Sequence, residues 1–448
     1  MTAISSIFWV FFTATFALIL LRWRPPETLN IFANIFCLYL IGYTTYSLIT
    51  NEDLRHKGSN EHIPATYQKA ITEFNDLSFN KKSTPTTSIF HIVLDGYSGA
   101  QSLMENYQYD NSTFINRLES MGFLILENTH TPYNQTLPSL GSMFLGRYWK
   151  ANGDDFSGKN AKANRRYWGK ITTQGPLHSK LKQAGYTLLY TDSGYPYLEP
   201  ASDATFLKPR TRRDMVSDFT YYYTLRTIIG PWLESRLASD SIERHKNLIV
   251  NAFSHTAYLD SKKPFYLYQH ILSPHPPFIF DDEGNTTKEF SAFLTTKDGS
   301  HSTGLIPANI KKYKKGYINK LKVTNELLLA QLDKLFQVAP KNLIVIIQGD
   351  HGGGAYLDQN SSVNTCLSDR FSPFFAVFST DESIRKAFGE YKKSPYNIVN
   401  TYRIILSEIS DSHLPPLEDH SWFVPWKNLN GIHPVELPQG YHCVQEEK

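Results

Sequence analysis

Residues 342–354 combine an apolar run with side chains of the kind that hold metal ions. Leu343 to Ile347 are apolar and mostly β-branched, and the segment ends in Asp350, His351 and three glycines. The lack of polar alternation predicts a strand covered on both faces, and ligands collect at the carboxyl ends of such strands in parallel sheets. Asp350 and His351 are therefore candidate metal ligands. The alternative is an ordinary strand-to-loop junction with a chance Asp-His pair.

A second apolar run, Ser88 to Leu94, ends in the same way, in Asp95 followed by glycine. Two strands that each deliver an acid at the carboxyl end would place both carboxylates at one edge of a sheet. Asp192, after the predicted strand Tyr186 to Tyr190, is a third acid of this kind.

A hydroxyl residue stands at the predicted start of a short helix. Thr136 precedes Pro138, which suits a first helical turn, and the free N–H groups of a helix N-terminus favour an anion. Thr136 is thus a candidate nucleophile. The alternative is a plain N-cap, a common role of threonine.

Two histidines follow or end the predicted strand that begins at Phe265. His270 lies within the apolar run, and His275 lies in a turn with prolines on both sides. Prolines restrict the backbone around His275, which suits a side chain that must hold one direction. For either histidine the alternative is a purely structural, hydrogen-bonded role.

The elements around these residues alternate between strand and helix, which predicts an α/β domain with a mostly parallel sheet. The predicted helices are Ser112 to Met121, Gly175 to Ala184, Ile310 to Phe336 and Ser394 to Ile409, and further strands are Phe123 to Leu126 and Arg370 to Phe378. The weaker pattern from Pro200 to Leu259 suggests an insertion beside the sheet. The tail after Leu414 shows no clear element.

The N-terminal region has two apolar runs, Ile4 to Leu21 and Ile31 to Ile49, each long enough to cross a bilayer as a helix. A signal peptide is the alternative for the first run, but it lacks a basic start and a small-residue cleavage site. Arg22 and Arg24 in the connecting loop predict that this loop is cytoplasmic and that the following domain is extracytoplasmic. The predicted organisation is a membrane anchor with two transmembrane helices (1–50), a linker with one helix (51–87) and a catalytic domain (88–448).

The chain of 448 residues carries a net charge of only +3, which gives no argument for nucleic acid as a partner. Of its three cysteines, Cys366 and Cys443 lie in the predicted exported domain, and the sequence leaves two alternatives open for them, buried free thiols, which are common, or a disulfide.

Four motifs in order resemble the alkaline phosphatase superfamily, in its sulfatase-like branch, which includes lipoteichoic-acid synthases and phosphoethanolamine transferases. They are Val93-Leu-Asp95-Gly96, Gln135-Thr136-Leu-Pro138-Ser139, His270 with Pro274-His275-Pro276, and Gly349-Asp350-His351-Gly352. The resemblance implies a three-layer α/β/α sandwich. It also implies one divalent ion (Mn, Mg, Ca or Zn) held by Asp95, Thr136, Asp350 and His351, with His275 facing the substrate and His270 as the second candidate for that role.

The sequence departs from true sulfatases where their Cys/Ser-x-Pro-x-Arg motif reads Thr136-Leu-Pro138-Ser-Leu140. Threonine is not a substrate for the oxidation that activates those enzymes. The second-ion pattern Asp-x-x-x-His is also missing from the sequence. The expected function is a membrane-anchored phosphotransferase or phosphodiesterase with a phospho-threonine intermediate, acting on a membrane lipid or an envelope glycan. The alternatives are a sulfatase-like hydrolase of sulfate or phosphate esters and a non-catalytic envelope-assembly protein; the sequence leaves the oligomeric state open.

Overall fold

The structure is a computed structural model, and it describes residues 31–32, 34–39, 41–43, 65–79, 87–149, 161–195, 198, 204–207, 230–255, 263–287, 296–338, 340–427, 431–438, 440 and 443. The chain divides into two compact units, Met1–His62 and Ile63–Lys448. The strands described below all lie in the second unit.

The second unit is built on a seven-stranded sheet with the strand order β2-β8-β7-β1-β6-β4-β5. Its strands are β1 (Ser88–Leu94), β2 (Leu124–Ile125), β4 (Thr187–Thr191), β5 (Thr205–Leu207), β6 (Phe265–Ile271), β7 (Leu343–Gly349) and β8 (Phe375–Ser379), and smaller pairs form from β3 (Thr129–His130) with β9 (Tyr396–Asn397) and from β10 (Ser421–Phe423) with β11 (His433–Val435). β1 is parallel to β6 and β7, and β4 is parallel to β5 and β6, whereas β8 is antiparallel to both its neighbours. The prediction of a mostly parallel sheet is therefore confirmed.

Strand register sets the position of the candidate site. Leu94 is opposite Gly349 on β7 and opposite Ile271 on β6. The carboxyl ends of these three central strands therefore lie side by side. The residues that follow β1 and β7, Asp95 and Asp350, become close neighbours.

Helices cover both faces of the sheet. They are α1 (Ala65–Asn75), α2 (Ala100–Tyr107), α3 (Ser112–Ser120), α4 (Thr136–Leu145), α5 (Ala161–Gln174), α6 (Pro176–Gln183), α7 (Gly230–Ser254), α8 (Ser300–Thr303), α9 (Pro307–Val338), α10 (Leu367–Arg370), α11 (Glu382–Gly389) and α12 (Thr401–Ile409). Successive β1 side chains point to opposite faces, so that Ile89 and Val93 enter a core with α4, α5, α6 and α12, whereas Phe90 and Ile92 enter a core with α2, α3, α7 and α9. The arrangement is the expected three-layer α/β/α sandwich.

Helix α1 belongs to this compact unit, although the sequence placed it in a linker. Its Ala70 and Phe74 are buried in the first core, and its Glu73 pairs with Arg403 at 3.1 Å. The division of the chain into anchor, linker and catalytic domain stays a prediction.

Two predicted elements are shorter than expected. The strand expected at Arg370–Phe378 begins only at Phe375, because Pro373 has no N–H for a strand ladder and Arg370 ends the helical turn α10. The helix expected from Ser394 begins at Thr401, after the short strand β9 and a 3₁₀ turn at Ile398–Asn400.

Two regions hold more structure than their patterns indicated. Within the predicted insertion, α7 buries Ile249 and Phe253 against the sheet, and the carbonyl of Ala252 accepts a hydrogen bond from Gln269 of β6. In the tail, β10 pairs with β11. Helix α7 thus lies beside the sheet, as expected for the insertion, but β5 from the same stretch joins the sheet as an edge strand, and the tail forms a strand pair where no clear element was predicted. These segments are held by tertiary contacts rather than by a strong local pattern.

No helix formed by the described residues is long and apolar enough to cross a membrane. The predicted span Ile4 to Leu21 lies outside the described residues. Of the predicted span Ile31 to Ile49, residues 31–32, 34–39 and 41–43 are described, and they are helical.

Cys366 and Cys443 form a disulfide, with Cα atoms 5.4 Å apart. The structure thus favours the bonded alternative over two buried thiols. The bond ties the end of the chain to the residue that precedes α10.

Candidate active site

The carboxylates of Asp95 and Asp350 are buried. In each, one oxygen is within hydrogen-bond distance of a neighbouring group and the other oxygen has no hydrogen-bond partner in the part of the chain that the structure describes. Asp350 Oδ1 accepts hydrogen bonds from the backbone N–H of Gly96 and of His351, both at 3.0 Å. Asp95 Oδ2 lies 3.1 Å from Nε2 of His270. The other oxygens, Asp95 Oδ1 and Asp350 Oδ2, have no hydrogen-bond partner among the described residues.

His351 completes this group with a single ring nitrogen. Its Nδ1 donates to the carbonyl of Gly352 at 2.9 Å, so the lone pair of the neutral ring is on Nε2. Nε2 lies 3.3 Å from Asp350 Oδ2, 3.7 Å from Asp95 Oδ1 and 3.2 Å from the hydroxyl of Thr136. Three oxygens from three different segments thus converge on one acceptor nitrogen.

Residues Asp95, Asp350 and His351 fit a divalent cation. A buried carboxylate oxygen without a partner is costly, and a cation placed among these atoms would satisfy both orphaned oxygens together with the lone pair of His351. Two carboxylates and an imidazole are compatible with Mn, Mg, Ca or Zn. Asp192 lies outside this group, since its Oδ1 instead accepts the N–H of Gly194.

Thr136 is the first residue of α4, and the N-cap position is occupied by Gln135. The interpretation of Thr136 as a plain N-cap is therefore wrong. The start of α4 is tied to the end of β7, because the hydroxyls of Thr131 and Ser139 donate to the backbone carbonyl of Asp350 at 2.7 and 2.8 Å. These bonds hold the start of α4 in place, where the Thr136 hydroxyl contacts His351.

His270 lies on β6, opposite Val93, and is buried. Because its Nε2 pairs with Asp95 Oδ2, its position suits orientation of that carboxylate. Burial alone would raise the pKa of Asp95, but the charge of His275 and the hydrogen bond from His270 outweigh it and hold the pKa well below its usual range. Asp95 is therefore ionised at neutral pH.

His275 lies in the proline-rich turn after β6. Its backbone N–H donates to the carbonyl of Asp95, and its Nδ1 donates to the carbonyl of Pro276 at 2.8 Å. A proton on Nδ1 leaves Nε2 as the atom that can gain or release a second proton. Asp298 Oδ2 lies 3.9 Å from this Nε2.

Lys320 of α9 holds this turn in place through hydrogen bonds to its backbone carbonyls. Its buried Nζ lies within hydrogen-bond distance of the carbonyls of Leu272, His275 and Pro277, at 2.7, 2.6 and 3.1 Å, and of His245 Nε2 at 2.8 Å. Burial lowers the pKa of Lys320 well below its ordinary value. Through these hydrogen bonds Lys320 fixes the backbone of the segment that carries His275.

Two further residues of the site, Arg370 and Asp298, were missed by the sequence analysis. Arg370 Nη2 lies 3.2 Å from His351 Nε2, and its Nη1 lies 2.9 Å from Asp298 Oδ2. Burial alone would raise the pKa of Asp298, but His275 and Arg370 lower it, and the net pKa is below its ordinary value. Burial and Arg370 both lower the pKa of His351, which favours the neutral ring that a metal ligand requires. Neither residue stands in a recognisable motif.

A three-layer sandwich with paired carboxylates, a histidine and a hydroxyl at the carboxyl ends of its central strands defines a member of the alkaline phosphatase superfamily, in its sulfatase-like branch. The sulfatase family model matches residues 87–404, and the chain belongs to this family. No curated protein matches the chain.

The chain is also similar to three solved structures. The periplasmic domain of EptC from Escherichia coli is 14% identical, with a TM-score of 0.46, and the alignment covers 81% of this chain and 98% of that domain. The soluble domain of lipooligosaccharide phosphoethanolamine transferase A from Neisseria meningitidis is 10% identical, with a TM-score of 0.43 and coverages of 75% and 91%. Phosphonate monoester hydrolase of Agrobacterium radiobacter is 11% identical, with a TM-score of 0.42 and coverages of 75% and 80%.

Proposed function

We propose that this protein is a membrane-anchored, metal-dependent phosphotransferase or phosphodiesterase that works through a phospho-threonine intermediate at Thr136. The observation that carries the proposal is the convergence of the Thr136 hydroxyl with two orphaned carboxylate oxygens on Nε2 of His351. Asp95, Asp350 and His351 would hold one divalent ion, with Thr136 as a fourth ligand. When bound, the ion supplies positive charge that favours the ionised hydroxyl and offsets charge on the phosphoryl group.

The reaction consists of two displacements at phosphorus. In the first, Thr136 reacts as the alkoxide, its hydroxyl proton having passed to solvent water. Its Oγ1 forms a bond to phosphorus, the bond to the leaving alkoxide breaks, and His275 Nε2 gives that leaving alkoxide a proton. In the second, a hydroxyl of the acceptor or of water attacks phosphorus and the Oγ1–P bond breaks. The attacking hydroxyl returns its proton to His275 Nε2.

His275 is better placed for this proton transfer than His270. His270 Nε2 faces the Asp95 carboxylate, whereas His275 Nε2 faces Asp298 across 3.9 Å and is partly exposed. We therefore assign orientation of Asp95 to His270 and acid–base chemistry to His275.

The residues around Thr136 favour phosphoryl over sulfuryl transfer. The position of the arginine in the sulfatase motif is Leu140, which is fully buried in the first core and provides no charge to the site. Threonine also cannot be converted to the aldehyde on which that chemistry depends. The experiment below must exclude two alternative functions, a sulfatase-like ester hydrolase and a non-catalytic envelope protein.

The proposed location is the extracytoplasmic face of a membrane. The support is the pair of N-terminal apolar runs with arginines between them, together with a disulfide, which persists in oxidising compartments. A site tethered beside a bilayer suits a lipid head group or an envelope glycan as substrate. Nucleic acid is not proposed as a partner.

The test is to trap the intermediate. The full chain, loaded with each of the four divalent ions in turn, is mixed with a labelled phosphodiester, quenched and digested. We expect phosphate on the peptide that contains Thr136 and retention of configuration at phosphorus, since two in-line displacements retain it. Thr136→Ala should lower kcat by at least about a thousandfold, or ~4 kcal/mol of barrier, while Thr136→Ser keeps partial activity.

Thr172→Ala is the matched control, because Thr172 is a buried helical threonine on α5 whose hydroxyl donates to the carbonyl of Trp168. It should reduce stability and leave turnover unchanged. Inversion at phosphorus, or full activity in Thr136→Ala, would rule out the covalent mechanism. Turnover of an aryl sulfate, without turnover of the phosphodiester, would favour the alternative function, a sulfatase-like hydrolase.

A further inference from the structure

Several large apolar side chains are exposed on one surface of the unit Ile63–Lys448. The exposed large apolar residues that the structure describes in this unit are Met104, Val250, Ile306, Val338, Val363 and Trp426. Half of them, Ile306, Val363 and Trp426, lie in segments that contact one another. We call residues 297–306, 357–365 and 426–427 together the rim surface.

Backbone hydrogen bonds join the three segments of the rim surface. The N–H of Trp426 donates to the carbonyl of Gln359 at 2.8 Å, and the N–H of Ser300 donates to the carbonyl of Leu357 at 2.7 Å. Ile306 follows helix α8, and its N–H donates to the carbonyl of the last residue of that helix at 3.2 Å. The exposed apolar side chains are therefore parts of one surface.

The apolar side chains of the rim surface stand on fixed supports. Val363 is 92% exposed, in a loop where the hydroxyl of Thr365 lies 3.1 Å from the carbonyl of Asp358. The guanidinium carbon of Arg165 lies 3.9 Å from the ring centre of Trp426, and its Nη2 donates to the Trp426 carbonyl at 3.0 Å. Because the loop and the indole ring are already held in place, contact with a partner costs little further ordering.

Exposed lysines flank these apolar side chains. Lys297 and Lys427 are exposed, and both lie close enough to His301 to lower its pKa, an effect to which burial contributes most. Asp298 and Asp358 act on His301 in the opposite direction and are outweighed. Since Asp298 is buried in an ion pair with an arginine, the outward charge of the rim surface is mainly positive.

This combination of side chains indicates the kind of partner. Apolar side chains favour the acyl boundary of a bilayer, tryptophan favours its interface, and lysines are attracted to anionic head groups. Lysine is instead depleted from protein–protein interfaces. The rim surface also borders the active site, because Asp298, next to Lys297 in the chain, lies 3.9 Å from His275.

We propose that the rim surface docks on an anionic lipid bilayer, with Ile306, Val363 and Trp426 in the head-group layer and Lys297 and Lys427 against anionic head groups. This inference rests on the membrane location proposed above, and it adds which face of the catalytic domain contacts the bilayer. Docking through this face presents the active site to the lipids of the same bilayer.

The test measures how deeply the rim surface enters a bilayer. The full chain with Cys37→Ser and Val363→Cys is labelled at position 363 with a fluorophore and reconstituted in nanodiscs of phosphatidylcholine and phosphatidylglycerol, with or without a lipid that carries a nitroxide at the head-group boundary. We expect the nitroxide to reduce the fluorescence at least about twofold, since apolar side chains of an interfacial surface reach ~5–10 Å into this layer. Ile306→Cys, on a separate segment, should give the same result, and it decides the question if Val363→Cys disturbs the nearby disulfide.

The matched control is Val338→Cys in the same Cys37→Ser background. Val338 is 53% exposed and ends α9 shortly before β7 begins, whereas the active site that the rim surface borders lies at the other end of β7. The nitroxide should leave the fluorescence at position 338 unchanged. Equal quenching at positions 306, 338 and 363, or none at 306 and 363, would overturn the proposal.

The two lysines are tested in the same nanodiscs. In the labelled Val363→Cys chain, Lys297→Glu with Lys427→Glu should reduce the quenching at least about twofold, because anionic head groups repel acidic side chains, and so should omission of phosphatidylglycerol. Lys334→Glu with Lys386→Glu is the control, since both lysines are exposed and lie outside the rim surface. Quenching that neither the Lys297 and Lys427 changes nor the neutral lipid reduces would overturn the proposal of an anionic bilayer.

The remaining outcomes separate this inference from the proposed location. A label that is shielded from water but insensitive to the nitroxide would show that a second copy of this chain covers the rim surface, and it would overturn the proposal. A full chain that is not incorporated in the nanodiscs would overturn the membrane location and this inference together. An incorporated chain whose labels are not quenched would overturn only the docking, and neither result bears on phosphorylation of Thr136.

Discussion

At the scale of single residues, the site depends on which oxygen of each carboxylate is already engaged. Backbone N–H groups hold one oxygen of Asp350, and His270 holds one oxygen of Asp95. The remaining oxygens can then point at a common ion without further rearrangement. This division would make the backbone and His270 supports of the candidate metal site that do not themselves bind the ion.

We expect His270→Gln to weaken metal binding about 10- to 100-fold, because loss of the imidazole releases Asp95 Oδ2 and loosens the carboxylate. The measurement is a competitive metal titration with a chelating dye. His91→Gln is the control, since His91 is buried on the same side of the fold but pairs with the hydroxyl of Tyr402 rather than with a ligand. An unchanged metal affinity in His270→Gln would show that Asp95 needs no such support.

The sequence predicts the site residues that lie in recognisable motifs. It does not predict those that are brought to the site only by tertiary contacts. Asp95, Asp350 and His351 end apolar runs, and Thr136 opens a helix, so each carries a local signal. Arg370 instead ends the helical turn α10 and contacts the site from there. Strand β8 begins only at Phe375, after Pro373, so that Arg370 does not belong to the strand. The contacts of Asp298 depend on packing against α9 and α10, which short-range patterns do not contain.

At the scale of elements, the glycine turn after β7 lets several segments approach the ligand His351. A Cβ on Gly352 would lie 1.8 Å from the backbone carbonyl oxygen of Asp369, and one on Gly353 would lie 2.0 Å from the hydroxyl of Tyr107. Asp369 is itself fixed by the hydroxyls of Ser98 and Ser102. The turn therefore has no room in which to move.

Gly352→Ala should displace His351 and cost roughly 1–3 kcal/mol or more of stability, because the group it meets is backbone rather than a flexible side chain. Gly389→Ala is the control, since a Cβ there meets nothing within 4 Å. Urea unfolding and metal titration of both variants test this. Normal metal affinity in Gly352→Ala would mean that the turn is more adaptable than its packing implies.

The same scale shows which elements the sequence could predict. β1 and β7 are continuous apolar runs, since both their faces are buried, and such runs are visible without a structure. Helix α7 was interpreted as an insertion, because it lies in a stretch whose apolar periodicity is weak. Its assignment to the helical layer on one face of the sheet required the buried contacts of Ile249 and Phe253.

At the scale of the whole molecule, the disulfide connects the C-terminal tail to the active site. Cys366 is the N-cap of α10, the turn that carries Asp369 and Arg370, and the backbone N–H of Cys443 donates to Asn106 of α2. The tail is thereby linked to the packing around the glycine turn.

Removal of the disulfide through Cys443→Ser should cost about 2–4 kcal/mol, because the bond closes a loop with a sequence separation of 77 and restricts the unfolded chain. Thermal unfolding with and without reductant measures the effect. In Cys37→Ser the cysteine outside the bond is changed, so stability should match the parent. Equal melting temperatures for the reduced and oxidised parent would contradict the prediction.

The stability of the whole molecule should also fall in acid because of His178 on α6. This histidine packs among the rings of Phe144, Tyr266 and Tyr190, and neither ring nitrogen has a hydrogen-bond partner among the described residues. Burial lowers the pKa of His178 from 6.5 to about 3. Between these values the unfolded chain binds a proton that the folded protein does not, so the free energy of unfolding decreases as pH falls from about 6.5 toward 3.

Replacement of His178 by phenylalanine should remove this dependence and keep the ring packing. Relative to each protein's own value at pH 7.5, we expect the parent to lose about 2–3 kcal/mol more than His178→Phe by pH 4.5, since each pH unit in the window is worth about 1.4 kcal/mol. Referring each profile to pH 7.5 cancels any constant packing cost of the larger ring. Urea unfolding across this pH range gives both profiles, and parallel profiles would show that His178 does not remain neutral in the folded protein.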